Sequence, residues 1–467
     1  MSSDRNIELQ TRLQEHLLKV NVSEVDDLDT KLIDDFISIA TIDKTIHHDQ
    51  NQIKDLLLAI IDILHNNSLD IDYNKVIGLL DAVLIGLDFE TVIDLFKLDL
   101  IVEALHSPNE NLQILAMKVS AKASPPDILS NTEIIPKAVE LLSIKDSSIK
   151  LVNEIEKSIG TLVSGELIRR RLLSGNVESK LLGIKESNDT TVKSRLLDLL
   201  IHVLPLVKEQ EINPILYKFT KFTEDNDILY TLNLIRFYTE ILDIVDSSLE
   251  KYWLLVNIED QINIIGKLYA ERSTNSDIEY FAVTELSLFF KKLSLISPSL
   301  FETLDNKFVK IGKNDHFLLA TLNASYLGSK HQSILKQLPL NINNISIFRN
   351  LISDPTSFNS VKDEITTNKL LKLPYVELFA ILSKLAQYNY SAKLLLQELP
   401  QVMNKVIEGR NVSEPESYEL RKLTIENLLQ QSDEDLEIWK SPLQREYYTI
   451  THGHPLQSQA LVQDTQL

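Results

Sequence analysis

Cysteine is absent from the chain, and 467 residues carry only 11 glycines and 14 prolines. Without cysteine there are no disulfides, no thiol nucleophile and no thiolate metal site. That agrees with a reducing compartment, and the cytoplasm, with the nucleus as a second location, is the expected address. Glycine at the average frequency of about 7% would be roughly three times as abundant. Phosphate-binding loops and the tight turns of β-sandwiches depend on it, and neither GxxxxGK[ST] nor GxGxxG occurs. GxSxG and HExxH are also missing. Long apolar runs are lacking as well: Leu56–Leu64 and Val83–Leu87 are broken or followed by Asp62 and Asp88, so no membrane span is expected. The first twenty residues carry charges where a secretory signal would need an apolar core.

Positive charge is also scarce. Forty-seven Lys+Arg face 67 Asp+Glu, a net charge of −20. Such a balance disfavours nucleic acid and anionic membranes as main partners. It suits a basic protein surface.

What is present is helical periodicity, almost from end to end. Asn109–Lys122 starts with polar capping residues and continues with Leu112, Leu115, Ala116 and Val119 on one face. Asp189–Leu206 repeats the pattern with Val192, Leu196, Leu199, Leu200 and Val203. Asp227–Leu242, Ser276–Leu293 and Ser417–Leu429 do so again. Each begins near Asp, Asn or Ser, whose side chains satisfy free N–H groups at a helix start. The spacing of the pairs is about 40–45 residues, the HEAT/armadillo period. The fold expected is an all-α, right-handed, C-shaped α-solenoid of roughly ten or eleven helical hairpins. Its N-terminal half is placed at 1–246 and its C-terminal half at 247–449, with a disordered tail at 450–467. Leu338–Ile347 alternates briefly, but Pro339 and its asparagines suit a loop.

Chemistry finds little support. His47-His48 and His452-Gly453-His454 are the only close histidine pairs, and adjacent helical positions diverge by about 100°. Gly78, Gly86 and Gly183 are isolated in helical patterns and read as helix-packing contacts. Arg169-Arg170-Arg171 spreads over about 200° of a helix, which favours pairing with Glu166 and carboxylates of the next repeat over a phosphate site. No enzyme activity, cofactor or metal is expected. The candidate partner-binding residues lie on faces that should be wet: Arg195, Asp198 and His202; Leu229, Asn233, Arg236, Phe237 and Glu240; Tyr280, Thr284, Ser287 and Lys291. The inward stripes are Ile228, Leu232, Ile235 and Leu242 in one helix, and Ala282, Leu286, Phe289 and Leu293 in the other. Phe237 and Tyr280 either form interface anchors or pack against an adjacent repeat.

Local strings add a resemblance. ELIRRRL at Glu166–Leu172, KYW at Lys251–Trp253, LKLPYVE at Leu371–Glu377, QYNYSAKLLLQELPQVM at Gln387–Met403, and PLQREY at Pro442–Tyr447 after Trp439 together resemble the fungal high-spontaneous-mutagenesis family. That family was historically placed under DNA mismatch repair, and its members are HEAT-repeat chaperones for the base of the proteasome regulatory particle. The resemblance implies that the solenoid holds the C-terminal domain of one ring ATPase subunit. It also implies an assembly precursor with a neighbouring ATPase and a large non-ATPase scaffold subunit. A DNA mismatch-repair or mutagenesis-control factor working through protein partners, and a general HEAT-repeat scaffold or transport adaptor, are the alternatives. The adaptor reading is weakened by the presence of only two tryptophans, Trp253 and Trp439.

Overall fold

A computed structural model describes residues 2–42, 50–66, 68–222, 227–408 and 414–452. All regular structure among them is helical, and no strand occurs among the described residues. The chain is an all-α solenoid and divides into two compact units, 1–261 and 262–467. The division lies fifteen residues beyond the expected 246/247 boundary.

In the first unit the helices are α1 (Ser2–Asn21), α2 (Thr30–Ile42), α3 (Gln50–His65), α4 (Tyr73–Ile85), α5 (Phe89–His106), α6 (Glu110–Ser120), α7 (Ile134–Ser143), α8 (Ile149–Leu162), α9 (Glu166–Leu172), α10 (Gly175–Lys185), α11 (Thr190–Val203) and α12 (Ile228–Ser247). Two rows emerge. α2, α4, α6, α8, α11 and α12 pack successively on one another. α1 packs on α3, α5 on α7, and α7 on α10. Between the rows lies the core, which includes Leu79, Met117, Ile155, Leu196 and Ile235, all at most 1% exposed. Capping obeys the sequence rule: the Asn109, Asp189 and Asp227 side chains accept from N–H groups in the first turns of α6, α11 and α12.

The repeat period is written in the hydrogen bonds between successive helices of a row. Lys75 reaches Asp34 at 2.8 Å, Asn111 reaches Asn74 at 2.8 Å, and Ser158 reaches the Met117 carbonyl at 3.1 Å. Thr190 reaches Asp227 at 2.6 Å. Those partners are 37 to 41 positions apart.

In the second unit one row runs through Val283–Ile296, His316–Thr321, Ile345–Leu351, Tyr375–Gln387 and Pro415–Leu429. Asn427 to the Ser383 carbonyl and Gln431 to the Ala386 carbonyl lengthen the period there to 44 and 45. The stretch 338–347 is a loop only as far as Asn341; a 3-10 turn follows at Ile342–Asn344, and a helix begins at Ile345. The last helix, Lys440–His452, runs three residues past the expected start of the tail. Residues 453–467 and His47-His48 lie outside the described residues.

Glycine corrects one expectation. A Cβ placed on Gly78 or Gly183 would meet nothing within 4 Å, so neither is a packing contact. Close approach occurs at Gly328, where a Cβ would fall 2.4 Å from the Ser357 amide nitrogen, and at Gly160, 3.1 Å from His202 Cβ.

Candidate partner-binding faces

α11 carries Arg195, Asp198 and His202 one turn apart. Asp198 and His202 are exposed, as expected. Arg195 is buried, at 8% exposure. Its guanidinium donates to the carbonyls of Leu142, Ile144, Lys145 and Ser147 at 3.0, 2.6, 3.0 and 3.2 Å. Those groups lie at and just beyond the end of α7, where carbonyls have no intrahelical donor. A side chain placed on the wet face by periodicity is therefore consumed as a cap for the preceding repeat. Beside it on α8, Glu156 is 8% exposed, and its Oε1 has no hydrogen-bond partner. Burial, and then the charge of Asp198, push its pKa up to about 8, against a smaller downward pull from Arg195.

α12 is turned relative to the expected stripe. Ile235 and Leu242 are buried, but Ile228 and Leu232 are only partly so. The covered face includes Tyr230, Leu234, Phe237, Tyr238, Ile241 and Val245. Phe237 is 1% exposed, with ring centroids 6.0 Å from Phe219 and 5.2 Å from Tyr238. The cause is the segment before α12. Tyr238 accepts from the Phe219 amide at 2.8 Å and donates to the Tyr217 carbonyl at 3.1 Å, which straps residues 217–222 over that side. Phe237 is a core residue and leaves the candidate face. Leu229 stays 69% exposed. Arg236 and Glu240 are exposed, and the half-buried Asn233 donates to Ser194 Oγ of α11 at 3.2 Å.

In the second unit, a π-helical turn at Ile278–Ala282 leads into Val283–Ile296. The expected inward residues Ala282, Leu286, Phe289 and Leu293 are all fully buried. Tyr280 is 80% exposed, and Thr284 and Lys291 are exposed. Ser287 is fully buried, and its hydroxyl has no partner, so it is removed from the face. Phe281, 60% exposed, joins the face although its spacing does not predict it. A π turn widens the helix by one residue and rotates the next turns, which lets two adjacent aromatics, Tyr280 and Phe281, remain in solvent. Position counting on an ideal helix has no signal for this.

The arginine triplet behaves as expected. Arg169 pairs with Glu211, Arg170 with Glu166 and Arg171 with Glu133, at 3.2, 3.3 and 3.4 Å. Among the described residues, no group of three or more His, Asp or Glu is placed to hold a metal ion. No helix among them is long and apolar enough to cross a membrane. What remains is two sets of exposed side chains, one per unit, each mixing apolar and charged groups. Such surfaces offer contact area and charge complementarity to another protein.

Comparisons with known proteins identify the lineage. Residues 14–243 match the family described as "DNA mismatch repair protein HSM3, N terminal domain", and residues 251–467 match its C terminal domain. The chain belongs to the HSM3 family. The Kluyveromyces lactis relative, named DNA mismatch repair protein HSM3, is 31% identical, with 94% of this chain and 95% of that protein aligned. The Candida glabrata relative of the same name is 33% identical over 81% of this chain and 82% of its own length. For the Saccharomyces cerevisiae relative, also so named, identity is 28% over 95% of each. The two HSM3 family segments meet between 243 and 251.

Proposed function

We propose that this HSM3-family protein is a non-enzymatic assembly chaperone for the base of the proteasome regulatory particle. It holds the C-terminal domain of one ring ATPase subunit and masks a face of it until assembly has advanced. A neighbouring ATPase and a large non-ATPase scaffold subunit share the precursor, in the cytoplasm and also in the nucleus. The reading rests on the resemblance of the local strings to that chaperone family. The observation that carries the mode of action is the exposure of Leu229 and Tyr280, at 69% and 80%, on helices whose opposite faces are dry. Large apolar groups held in solvent by a rigid repeat suit burial against a folded partner. The contact set is then Asp198, His202, Leu229, Asn233, Arg236 and Glu240 in the first unit, with Tyr280, Thr284 and Lys291 in the second. Carboxylates in excess would speed encounter with a basic patch and make association sensitive to salt. Affinity capture of the full chain with the ATPase C-terminal domain tests this. Failure to co-purify at low salt would overturn it.

The relatives' printed names favour a second reading, a role in mismatch repair. The net charge of −20 and the pairing of all three clustered arginines weigh against direct DNA contact. A low-salt gel-shift assay decides: tight duplex binding would reverse the ranking.

A further inference from the structure

α4, α6 and α8 lie side by side in one row of the first unit and leave a cleft of about 490 Å³ across their exposed faces. Each helix contributes four positions spread over two turns. The first turns supply Asn74, Asn111 and Lys150; the last turns of the set supply Asp81, Lys118 and Lys157. Between these polar borders runs a floor that includes Gly78, Ile114 and Asn153. The register is fixed by bonds across the repeats: Asn111 Nδ2 donates to Asn74 Oδ1 at 2.8 Å, and Lys118 pairs with Asp81 at 2.6 Å.

Three features make the cleft more than a crease. The floor is deepened at Gly78, where a Cβ would meet nothing within 4 Å. Successive helices of such a row are about 10 Å apart, and an extended chain rises about 3.3 Å per residue. Three helices therefore match roughly six residues of extended peptide, in steps of about three. Asparagine amides carry both donors and acceptors, so Asn111 and Asn153 can serve a peptide backbone whatever its sequence.

The charge of the cleft is opposite to that of the whole chain. Lys118 is neutralised by Asp81. Lys150 and Lys157 have no ion-pair partner among the described residues, whereas Glu154 is the one remaining acid of the lining and also accepts from Ser158 Oγ at 3.3 Å. Lys150 and Asn111 also sit in first turns, where the helix dipole favours negative charge. The acidic excess elsewhere is screened beyond about 8–10 Å at physiological salt.

We infer that this cleft binds an extended, acidic peptide segment of a partner protein, its backbone on Asn111 and Asn153 and its carboxylates on Lys150 and Lys157. The inference goes beyond the chaperone reading and uses none of the contact residues assigned there. The test is fluorescence anisotropy of the full chain with three labelled eight-residue peptides, which alternate threonine with glutamate, glutamine or lysine. The glutamate peptide is expected to bind at least tenfold more tightly than the glutamine peptide, and the lysine peptide not detectably. The double variant Lys150→Glu, Lys157→Glu should remove that preference. Gly78→Leu, whose Cβ would meet nothing within 4 Å and whose helix propensity exceeds that of glycine, should not lower the thermal midpoint and should weaken the glutamate peptide about tenfold by filling the floor. Equal binding of the three peptides, no binding of the glutamate peptide at millimolar protein, insensitivity to Gly78→Leu, or displacement by an eight-residue oligothymidylate would each overturn the inference. Capture of the ATPase domain by the Gly78→Leu protein reports on the chaperone reading separately, so one can fail while the other stands.

Discussion

Phe237 and Tyr280 look alike in the sequence, as aromatics on nominally wet helical faces, yet they should respond oppositely to truncation. Phe237 is 1% exposed and makes edge-on contacts with Phe219 and Tyr238. An aromatic side chain buries about 150–250 Å². At roughly 25 cal/mol per Å² that is about 4–6 kcal/mol, and measured Phe→Ala costs in cores run about 3–5 kcal/mol. Phe237→Ala is therefore expected to cost about 4 kcal/mol. Tyr280, 80% exposed, has little to lose, and Tyr280→Ala should stay within about 0.5 kcal/mol in stability. Against the ATPase C-terminal domain the order inverts. Tyr280→Ala should weaken binding by over about 1 kcal/mol, at least fivefold in Kd, and Phe237→Ala, where still folded, should bind normally. Stacked repeats need not unfold as one unit. The assay therefore pairs urea titration with hydrogen exchange over residues 228–247, alongside calorimetric titration with the domain. A Phe237→Ala protein that keeps its stability within about 1 kcal/mol and loses affinity would refute the burial argument. A Tyr280→Ala protein with normal affinity would remove Tyr280 from the interface.

Arg195→Met should cost about 3 kcal/mol. Four buried donor contacts at about 1 kcal/mol each are lost, and part is regained as water reaches the freed carbonyls; faster exchange just after α7 and a lower urea midpoint would register it, and a change under about 1 kcal/mol would refute the capping role. Glu156, its pKa raised to about 8, binds a proton more readily folded than unfolded. Stability should therefore fall as pH rises from about 4.5 through 8, by about 1–3 kcal/mol after relaxation lowers the limit of roughly 5 kcal/mol set by about 1.36 kcal/mol per pKa unit. Glu156→Gln should flatten that slope, and urea midpoints of the parent that are the same at about pH 5 and pH 8 would contradict it. Asp305, 2% exposed, accepts from Tyr326 Oη and the Ile311 amide at 2.7 and 3.0 Å and lies 2.7 Å from His331 Nε2. Burial raises its carboxyl, but these bonds outweigh it and leave the pKa lowered. Its stabilisation is present above about pH 4 and should be lost as pH falls through the depressed folded value. Asp305→Asn should cost about 2 kcal/mol at about pH 7 and show a weaker acid dependence in thermal melts.

The parts legible in the sequence are those decided within a few residues. Asp189 caps α11 because its carboxylate needs only the Thr191 and Val192 amides, and Val192, Leu196, Leu199, Leu200 and Val203 are buried because 3.6-residue spacing aligns them. Arg170 finds Glu166 one turn away. The misreadings come from contacts set far along the chain. Arg195 is claimed by carbonyls 48 to 53 positions earlier. Phe237 is claimed by Phe219, in a segment with no helical period. The exposure of Tyr280 was legible because its face meets nothing, whereas that of Phe281 depends on a π turn that leaves no mark in an ideal wheel. Of the twelve expected contact residues, Arg195 and Phe237 are lost for this reason, each where an outward position meets a distant part of the chain; Ser287 is lost to burial.

Those claimed residues also explain how so little glycine suffices. Helices commonly close with a glycine that lets the last carbonyls find local donors. Here donors come from another part of the stack. Lys122 Nζ sits on the carbonyls of Leu84, Ile85 and Leu87 at the end of α4, and burial lowers its pKa. Lys251 does the same for Leu204 and Val207 after α11. In the second unit Arg421, 3% exposed, holds the Val406 and Ile407 carbonyls and Glu446. Asn350 serves those of Leu319 and Leu322. A glycine cap is satisfied within its own helix, but a cap supplied 14 to 53 positions away is made only when the neighbouring elements are in place. Each such bond moves stability from the single repeat to the junction between repeats. Since a solenoid's cooperativity is set by the junction relative to the repeat, this arrangement should give a stiffer array than glycine caps would.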